Sequence, residues 1–362
     1  MTHFPEGNAL VYCEGNFHTT DGKTAHGLVR RTHRYRVMAV IDSVNAGRDA
    51  AEVLDGKPNG IPIVASLAEG LAVAQSAGVP ATHMVIGIAC AGGRMTDDVR
   101  GAVRSAILAG LNVDSGLHDF MTEDAEFAAL AAEKGVVLRD IRKPQDRRFL
   151  HHFTGKIAEV DSLKVAILGI DSAIGKRTTC WVLLDALNHA GIRTEMVGTG
   201  QTAWMQGVRF GLLLDTVVND FLAGEIEHAV WTAWKEARPQ VILLEGQGSL
   251  MNPAFPGGYE LLAAARPDCV IVQHAPARKE YDGFPGFPMH AIDHQIKAIE
   301  LVSGHPVVAI TINHEGLSAA ELPGQIDQVR AITRLPVADV LRDGPGEIVA
   351  AVQGCLRRKM NP

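Results

Sequence analysis

Val165-Ala166-Ile167-Leu168-Gly169-Ile170-Asp171-Ser172-Ala173-Ile174-Gly175-Lys176-Arg177-Thr178-Thr179 decides how this chain is read. An apolar run rich in β-branched residues leads into Gly169, a loop follows, and beyond Gly175-Lys176 the residues Cys180, Leu183, Leu184 and Leu187 recur at helical spacing. The order is strand, loop, helix. Glycines in such a loop let backbone N–H groups turn towards an anion, the helix N-terminus adds about half a positive charge, and the lysine adds a full one. The stretch predicts a phosphate cradle made by Gly169, Asp171, Ser172, Gly175, Lys176, Arg177, Thr178 and Thr179.

Two departures from the usual phosphate loop sharpen this reading. Gly169 and Gly175 enclose five residues rather than the usual four, a spacing that resembles the loop of dethiobiotin synthetase and its relatives. The residue after the lysine is normally Ser or Thr, whose hydroxyl ligates the Mg²⁺ of a bound nucleotide. Here it is Arg177, and hydroxyls arrive only at Thr178 and Thr179. A guanidinium cannot ligate Mg²⁺ but can point at phosphate. The expected ligand is therefore phosphorylated without being a magnesium nucleoside triphosphate, and no metal is expected.

Further along, Val241-Ile242-Leu243-Leu244 reads as a buried strand ending in Glu245-Gly246-Gln247-Gly248-Ser249. A parallel strand that ends in a carboxylate beside a phosphate loop is the place of a Walker B acid. The segment also resembles the Glu-Gly-x-Gly of dethiobiotin synthetase. Glu195 to Val197 reads as a strand running into Gly198-Thr199-Gly200-Gln201-Thr202, whose glycines and hydrogen-bonding side chains suit a small polar substrate. Asn219-Asp220 precedes a helix, and Val270-Ile271-Val272-Gln273-His274 is a strand with Arg278 soon after. Tyr281 to Met289 reads as an irregular loop able to cover a site.

From Arg36 to Pro144 strand-like and helix-like segments alternate, which implies a parallel sheet with helices on both faces. The expected strands are Val37 to Ile41, Ile61 to Ala65, Met84 to Ala89, Leu111 to Val113 and Val136 to Leu138, with helices around 68–76, 97–109 and 123–134. No complete dinucleotide fingerprint is present. Gly92-Gly93-Arg94 and Ser115-Gly116-Leu117-His118-Asp119 stand at expected strand ends and are secondary site candidates. Lys23-Thr24-Ala25-His26-Gly27 could bring a lysine and a histidine to an anion, while Arg30, Arg31, Arg34 and Arg36 read as a solvated face. The charged stretch from Arg139 to Arg148 suits a connection.

The fold class is thus α/β with two domains: an N-terminal Rossmann-like parallel sheet over 1–150 and a C-terminal P-loop NTPase-like (dethiobiotin-synthetase-like) parallel sheet over 151–362. A net charge of −7 over 362 residues argues against a nucleic-acid partner, which calls for a basic surface. Cys13, Cys90, Cys180, Cys269 and Cys355 form no CxxC pair and fit a reducing cytoplasm. No secretion signal or membrane span is expected, and a homodimer is the common state for an enzyme of this layout.

In their order along the chain, Lys23-Thr24-Ala25-His26-Gly27, Gly92-Gly93-Arg94, Ser115-Gly116-Leu117-His118-Asp119, Gly175-Lys176-Arg177-Thr178-Thr179, Gly200-Gln201-Thr202 and Glu245-Gly246-Gln247-Gly248-Ser249 resemble a bacterial and archaeal family of P-loop proteins. That family includes the DgcN-type D-glutamate N-acetyltransferases. The resemblance covers nearly the whole chain. It implies acetyl transfer from acetyl-CoA to the amine of D-glutamate, feeding a racemase that acts on N-acetylglutamate.

Such chemistry needs a base to deprotonate the amine. Glu245, Asp220 and His274 are the candidates, in that order. Backbone N–H groups of a glycine turn, or Gln201 and Gln247, are candidate oxyanion donors, and Arg278 and Arg94 have the forked donors that two substrate carboxylates call for. Lys23, His118, Gly200, Thr202 and Ser249 complete the expected substrate contacts. An ATP-dependent ligase or kinase of the dethiobiotin synthetase type, and a non-catalytic nucleotide-binding regulator, are the alternatives.

Overall fold

The computed structural model describes residues 5–89 and 91–361, which form two α/β units whose sheets are parallel throughout. The first unit comprises the chain up to Pro144 together with Gln201–Val208. Its strands are β1 (Gly7–Tyr12), β2 (Tyr35–Ile41), β3 (Ile63–Val64), β4 (His83–Ile86), β5 (Asn112–Ser115) and β6 (Leu138–Asp140), in the order β3-β2-β1-β4-β5-β6. The chain starts in the middle, winds to one edge, then crosses back and winds to the other. That is a Rossmann-like layout, with its switch point between β1 and β4.

The central strand, β1, is absent from the sequence-based set. Gly7-Asn8 opens it with no apolar signal, yet Ala9, Leu10 and Val11 are fully buried between two neighbours. The remaining strands lie within a few residues of expectation. The helices are α1 (Lys23–Arg30), α2 (Ala50–Asp55), α3 (Leu67–Ser76), α4 (Asp97–Leu108) and α5 (Ala125–Lys134). α1 is where the basic cluster begins: Thr24, Ala25, Leu28 and Val29 face inward, so this stretch is an amphipathic helix and not only a solvated face. Side chains of Asp49, Ser66, Thr96 and Asp124 cap α2 to α5 by accepting from first-turn N–H groups.

The second unit comprises Gln145–Gly200 and Arg209–Pro362. It begins a few residues before the boundary expected at 150, and it lacks the 201–208 segment. The strands are β7 (Leu163–Gly169), β8 (Thr194–Gly198), β9 (Phe210–Gly211), β10 (Val241–Glu245), β11 (Cys269–His274), β12 (Val307–Ile312) and β13 (Val337–Ala338). They lie in the order β13-β12-β11-β7-β10-β8-β9. The helices in chain order are α6 (Lys176–His189), α7 (Gln201–Met205), which belongs to the first unit, α8 (Asn219–Ala237), α9 (Tyr259–Ala265), α10 (Ile292–Ser303), α11 (Leu322–Thr333) and α12 (Gly346–Met360).

Every residue of β7 is buried, and Val241 to Leu244 of β10 are wholly so. Each such aliphatic side chain contributes about 1.5–3 kcal/mol. The core therefore fixes where these two strands end, and the ends carry Gly169 and Glu245. Cys13, Cys180, Cys269 and Cys355 are free, buried thiols, and Cys90 lies outside the described residues. Among the described residues no helix is long and apolar enough to cross a membrane.

Candidate functional site at the phosphate loop

Two glycines shape the loop between β7 and α6. A Cβ on Gly169 would stand 2.7 Å from Ile174 Cδ1 and 3.1 Å from Lys176 Cδ, so a side chain there would displace Ile174 or Lys176. Gly175 has φ +98°, in the region that side chains disfavour. Ala173 is held at φ +50°, a strained state that surrounding contacts must maintain. α6 starts behind Gly175 with no side-chain cap, leaving its first N–H groups for an anion.

Those contacts converge on Asp171, which is fully buried. Its Oδ1 accepts from Ser172 N at 2.7 Å and Asn252 Nδ2 at 2.9 Å, and its Oδ2 from Arg278 Nη1 at 2.9 Å and Asp282 N at 3.0 Å. Arg278 also donates to Ser172 O at 2.9 Å and to the Glu315 carboxylate at 2.8 Å. One carboxylate thus ties the phosphate loop to the loop after β10 and to the Tyr281 to Met289 loop. The expected roles of two residues change accordingly: Asp171 braces the cradle instead of lining it, and Arg278 is committed to Asp171 and Glu315 instead of waiting for a substrate carboxylate.

Lys176 is 7% exposed and donates from Nζ to Asp171 O at 2.6 Å and Gly248 O at 2.8 Å. These carbonyls park the ammonium at the mouth of the cradle, where an incoming phosphate can take it over. Thr179 Oγ1 is spent on Gln273 Oε1 at 2.6 Å, which also accepts from Thr311. Of the two hydroxyls after the lysine only half-buried Thr178 is left to a ligand.

Glu245 ends β10, buried at 5% exposure. Its Oε2 accepts from Thr199 N, and its main-chain carbonyl accepts from Thr199 Oγ1, both at 2.9 Å. Burial pushes the carboxyl up, against the opposing pull of Arg177, the Thr199 N–H and Lys176. The residue in the metal-ligand position is therefore a cation, and it acts on the very acid that would otherwise help to hold the metal. Gln247 Nε2 donates to Thr199 Oγ1 at 2.7 Å, next to Gly200. Ser249 Oγ is buried with no hydrogen-bond partner among the described residues, a polar atom that a ligand or water in this site would satisfy.

The other expected residues are placed as follows. Asp220 is exposed in the first turn of α8. His274 ends β11 with Nδ1 unpartnered among the described residues, and burial, then Lys279, lowers it to about 4, which makes it a weak base. Gln201 and Thr202, expected with the phosphate-loop domain, belong to the first unit. Arg142 Nη2 donates to Gln201 Oε1 at 3.0 Å, and Thr202 Oγ1 lies 2.8 Å from Thr24 Oγ1.

Also in the first unit, Lys23 opens α1 after β1. Arg94, with its side chain 79% exposed, lies 3.3 Å from Asp119. His118 packs so closely on Gly93 that a Cβ there would meet His118 Cδ2 at 2.4 Å. Among the described residues no group of three or more His, Cys, Asp or Glu is placed to hold a metal ion.

Sequence reasoning missed His314 and Asp339, which follow β12 and β13 and pair through His314 Nδ1 and Asp339 Oδ2. The available signal was their place: a titratable residue just beyond each short apolar strand, on the end of the sheet where ligands bind.

Comparison with known proteins gives two family matches: a domain of unknown function, DUF1611, described as a P-loop domain, over residues 151–349, and its Rossmann-like N-terminal partner over 43–144. A protein named D-glutamate N-acetyltransferase from Tritonibacter scottomollicae is 27% identical over 286 residues, covering 75% of this chain and 81% of its own. A protein of the same name from Pseudoalteromonas sp. is 30% identical over 289 residues, covering 77% and 83%. The crystal structure of a DUF1611 family protein from Anabaena variabilis superimposes with a TM-score of 0.86 at 29% identity, covering 96% of this chain and 99% of that one.

Proposed function

The chain belongs to the DUF1611 family, with a Rossmann-like and a P-loop domain, and from that premise we propose that it is an N-acetyltransferase moving the acetyl group of acetyl-CoA to the amine of D-glutamate. Relatives bearing that activity in their names match about three quarters of the chain. The reaction would serve D-glutamate catabolism by way of N-acetylglutamate.

The observation that carries the reading is Arg177. A phosphate loop with a guanidinium in the metal-ligand position, whose charge pulls against the burial of Glu245, suits a pyrophosphate that arrives without Mg²⁺, as that of acetyl-CoA does. The uncapped N-terminus of α6 and Lys176 would hold phosphate oxygens, and Arg177 would replace the charge that a metal supplies. Glu245 fixes Thr199, so that the turn from Gly198 to Gly200 meets the ligand with a set geometry. The buried thiol of Cys180, pushed well up by burial, makes a poor nucleophile, which favours direct transfer over an acetyl-cysteine route.

The test is thiol release from acetyl-CoA with D-glutamate, with L-glutamate and ATP·Mg²⁺ run in parallel. Free CoA is expected with D-glutamate, without ATP, and much reduced in Lys176→Ala. ADP formation without thiol release would replace this reading with an ATP-dependent ligase or kinase.

A further inference from the structure

Acetyl transfer to an amine requires a base with an accessible lone pair, and the three residues expected to supply it are poorly suited. Glu245 is sealed, with one oxygen on the Thr199 N–H. His274 is lowered to about 4. Asp220 lies exposed, without a hydrogen bond to orient its carboxylate among the described residues. Another histidine-carboxylate pair, His151 with Glu225, is stacked on His228 with ring centroids 3.6 Å apart and among the described residues has no bond to the phosphate loop.

One arrangement in the second unit does have the form of an oriented base. Asp339 has a side chain 1% exposed, and its Oδ1 accepts from Leu341 N at 3.0 Å and Arg342 N at 3.3 Å. That leaves Oδ2 to accept from His314 Nδ1, which must then carry the ring proton. The lone pair falls on Nε2, which has no hydrogen-bond partner among the described residues, on a side chain 38% exposed. A buried carboxylate that fixes the tautomer and orientation of a histidine is the arrangement by which a general base is held.

The position of His314 is tied to the phosphate loop from both sides. Asn313 Nδ2 donates to Ile174 O at 3.2 Å, inside the loop. Glu315 holds Arg278, whose guanidinium binds Asp171 and Ser172. His314 stands between two residues that clasp the cradle, so its distance from a bound donor is set by the same bonds that shape the donor site.

Resting on the acetyl-transfer reading, we propose that His314, oriented by Asp339, is the catalytic base. Nε2 takes one proton from the ammonium of the acceptor. The freed nitrogen lone pair forms the C–N bond to the thioester carbonyl carbon, the C–S bond breaks, and its electron pair leaves on sulfur. The second proton shed by nitrogen goes to the departing thiolate, giving the amide and free thiol, and His314 returns its proton to water. The charged groups around the pair are Asp339 itself, Asp343, whose carboxylate accepts from Asp339 N, Arg342, Glu315 and Arg278.

The test compares wild-type protein with His314→Gln and Asp339→Asn, measuring kcat and KM for thiol release from pH 6 to pH 9.5 and acetyl-CoA binding by calorimetry. His314→Gln is expected to bind acetyl-CoA normally and to lose about 10²–10⁴-fold in kcat at neutral pH. The deficit should shrink towards high pH, where more of the acceptor amine is already free, and Asp339→Asn should show a smaller loss of the same form. A deficit independent of pH, or His314→Gln with wild-type kcat, would overturn the assignment while leaving the acetyl-transfer reading intact. A wild-type protein that releases no thiol would overturn both.

Discussion

The two sheets use the same opening device and finish it differently. In each, a central strand leads through a loop to a helix that begins with lysine behind a glycine and has no side-chain cap: Gly22-Lys23 after β1, and Gly175-Lys176 after β7. The first loop is filled by one of its own side chains, and Gly15 N donates to buried Asp42. Phe17 is fully buried, its carbonyl lies 2.8 Å from His26 Nε2, and the N–H of Ala25 is taken by Gly87 O at 3.0 Å. The second loop is braced from outside by Asn252, Arg278 and Asp282, which all donate to its own Asp171, and its lysine rests on two carbonyls. A strand, a glycine and a lysine thus open two loops of different build. The difference lies in whether a side chain of the loop fills the turn, as Phe17 does, or a carboxylate of the loop gathers its neighbours, as Asp171 does.

If that contrast is right, the largest effect comes from removing the brace. Asp171→Asn removes the buried one of the two carboxylates that hold Arg278 and should destabilise the second unit by up to about 3–5 kcal/mol, read from its denaturant midpoint. A shift under 1 kcal/mol would mean that the loop holds itself.

The next effect is a pH dependence. His274 titrates at about 4 in the folded unit and near 6.5 when unfolded. Between these values the unfolded chain binds more protons. Stability from this group is therefore complete above about pH 6.5 and is lost as pH falls through 4, by up to about 3 kcal/mol. His274→Asn should flatten that slope, and an unchanged slope would contradict the assignment.

Lys176→Ala should raise KM for acetyl-CoA about 10- to 150-fold, the value of 1.5–3 kcal/mol for a charged hydrogen bond. Lys23→Ala should cost clearly less, and an equal loss would erase the contrast between the loops. The smallest effect is expected at a capped helix of the first unit. Ser66→Ala removes the acceptor for Glu69 N and should cost about 1 kcal/mol with kcat and KM unchanged.

Much of this was legible from sequence because the signals were local. The run from Val165 to Thr179 and the strand ending at Glu245 carry apolar period, glycines and charge within a few residues. β1 was not legible, since Gly7-Asn8 opens it and its burial comes from strands that follow much later in the chain. The membership of Gln201 and Thr202 depends on bonds to Arg142 and Thr24, which no periodicity encodes. Arg278 looked like a free fork because its partners, Asp171 and Glu315, are 107 and 37 residues away. His314 and Asp339 follow strands of which one is only two residues long, too short for a pattern to register.

The central claim is that this cradle holds a phosphorylated acyl donor with Arg177 doing the work of a metal. The most direct measurement is calorimetric titration of acetyl-CoA into the protein in excess EDTA and again with Mg²⁺, with ADP·Mg²⁺ as competitor. The account predicts the same affinity in both buffers, lost in Arg177→Ser and not regained with Mg²⁺. Binding that appears only with Mg²⁺, or ADP·Mg²⁺ displacing acetyl-CoA at far lower concentration, would contradict it.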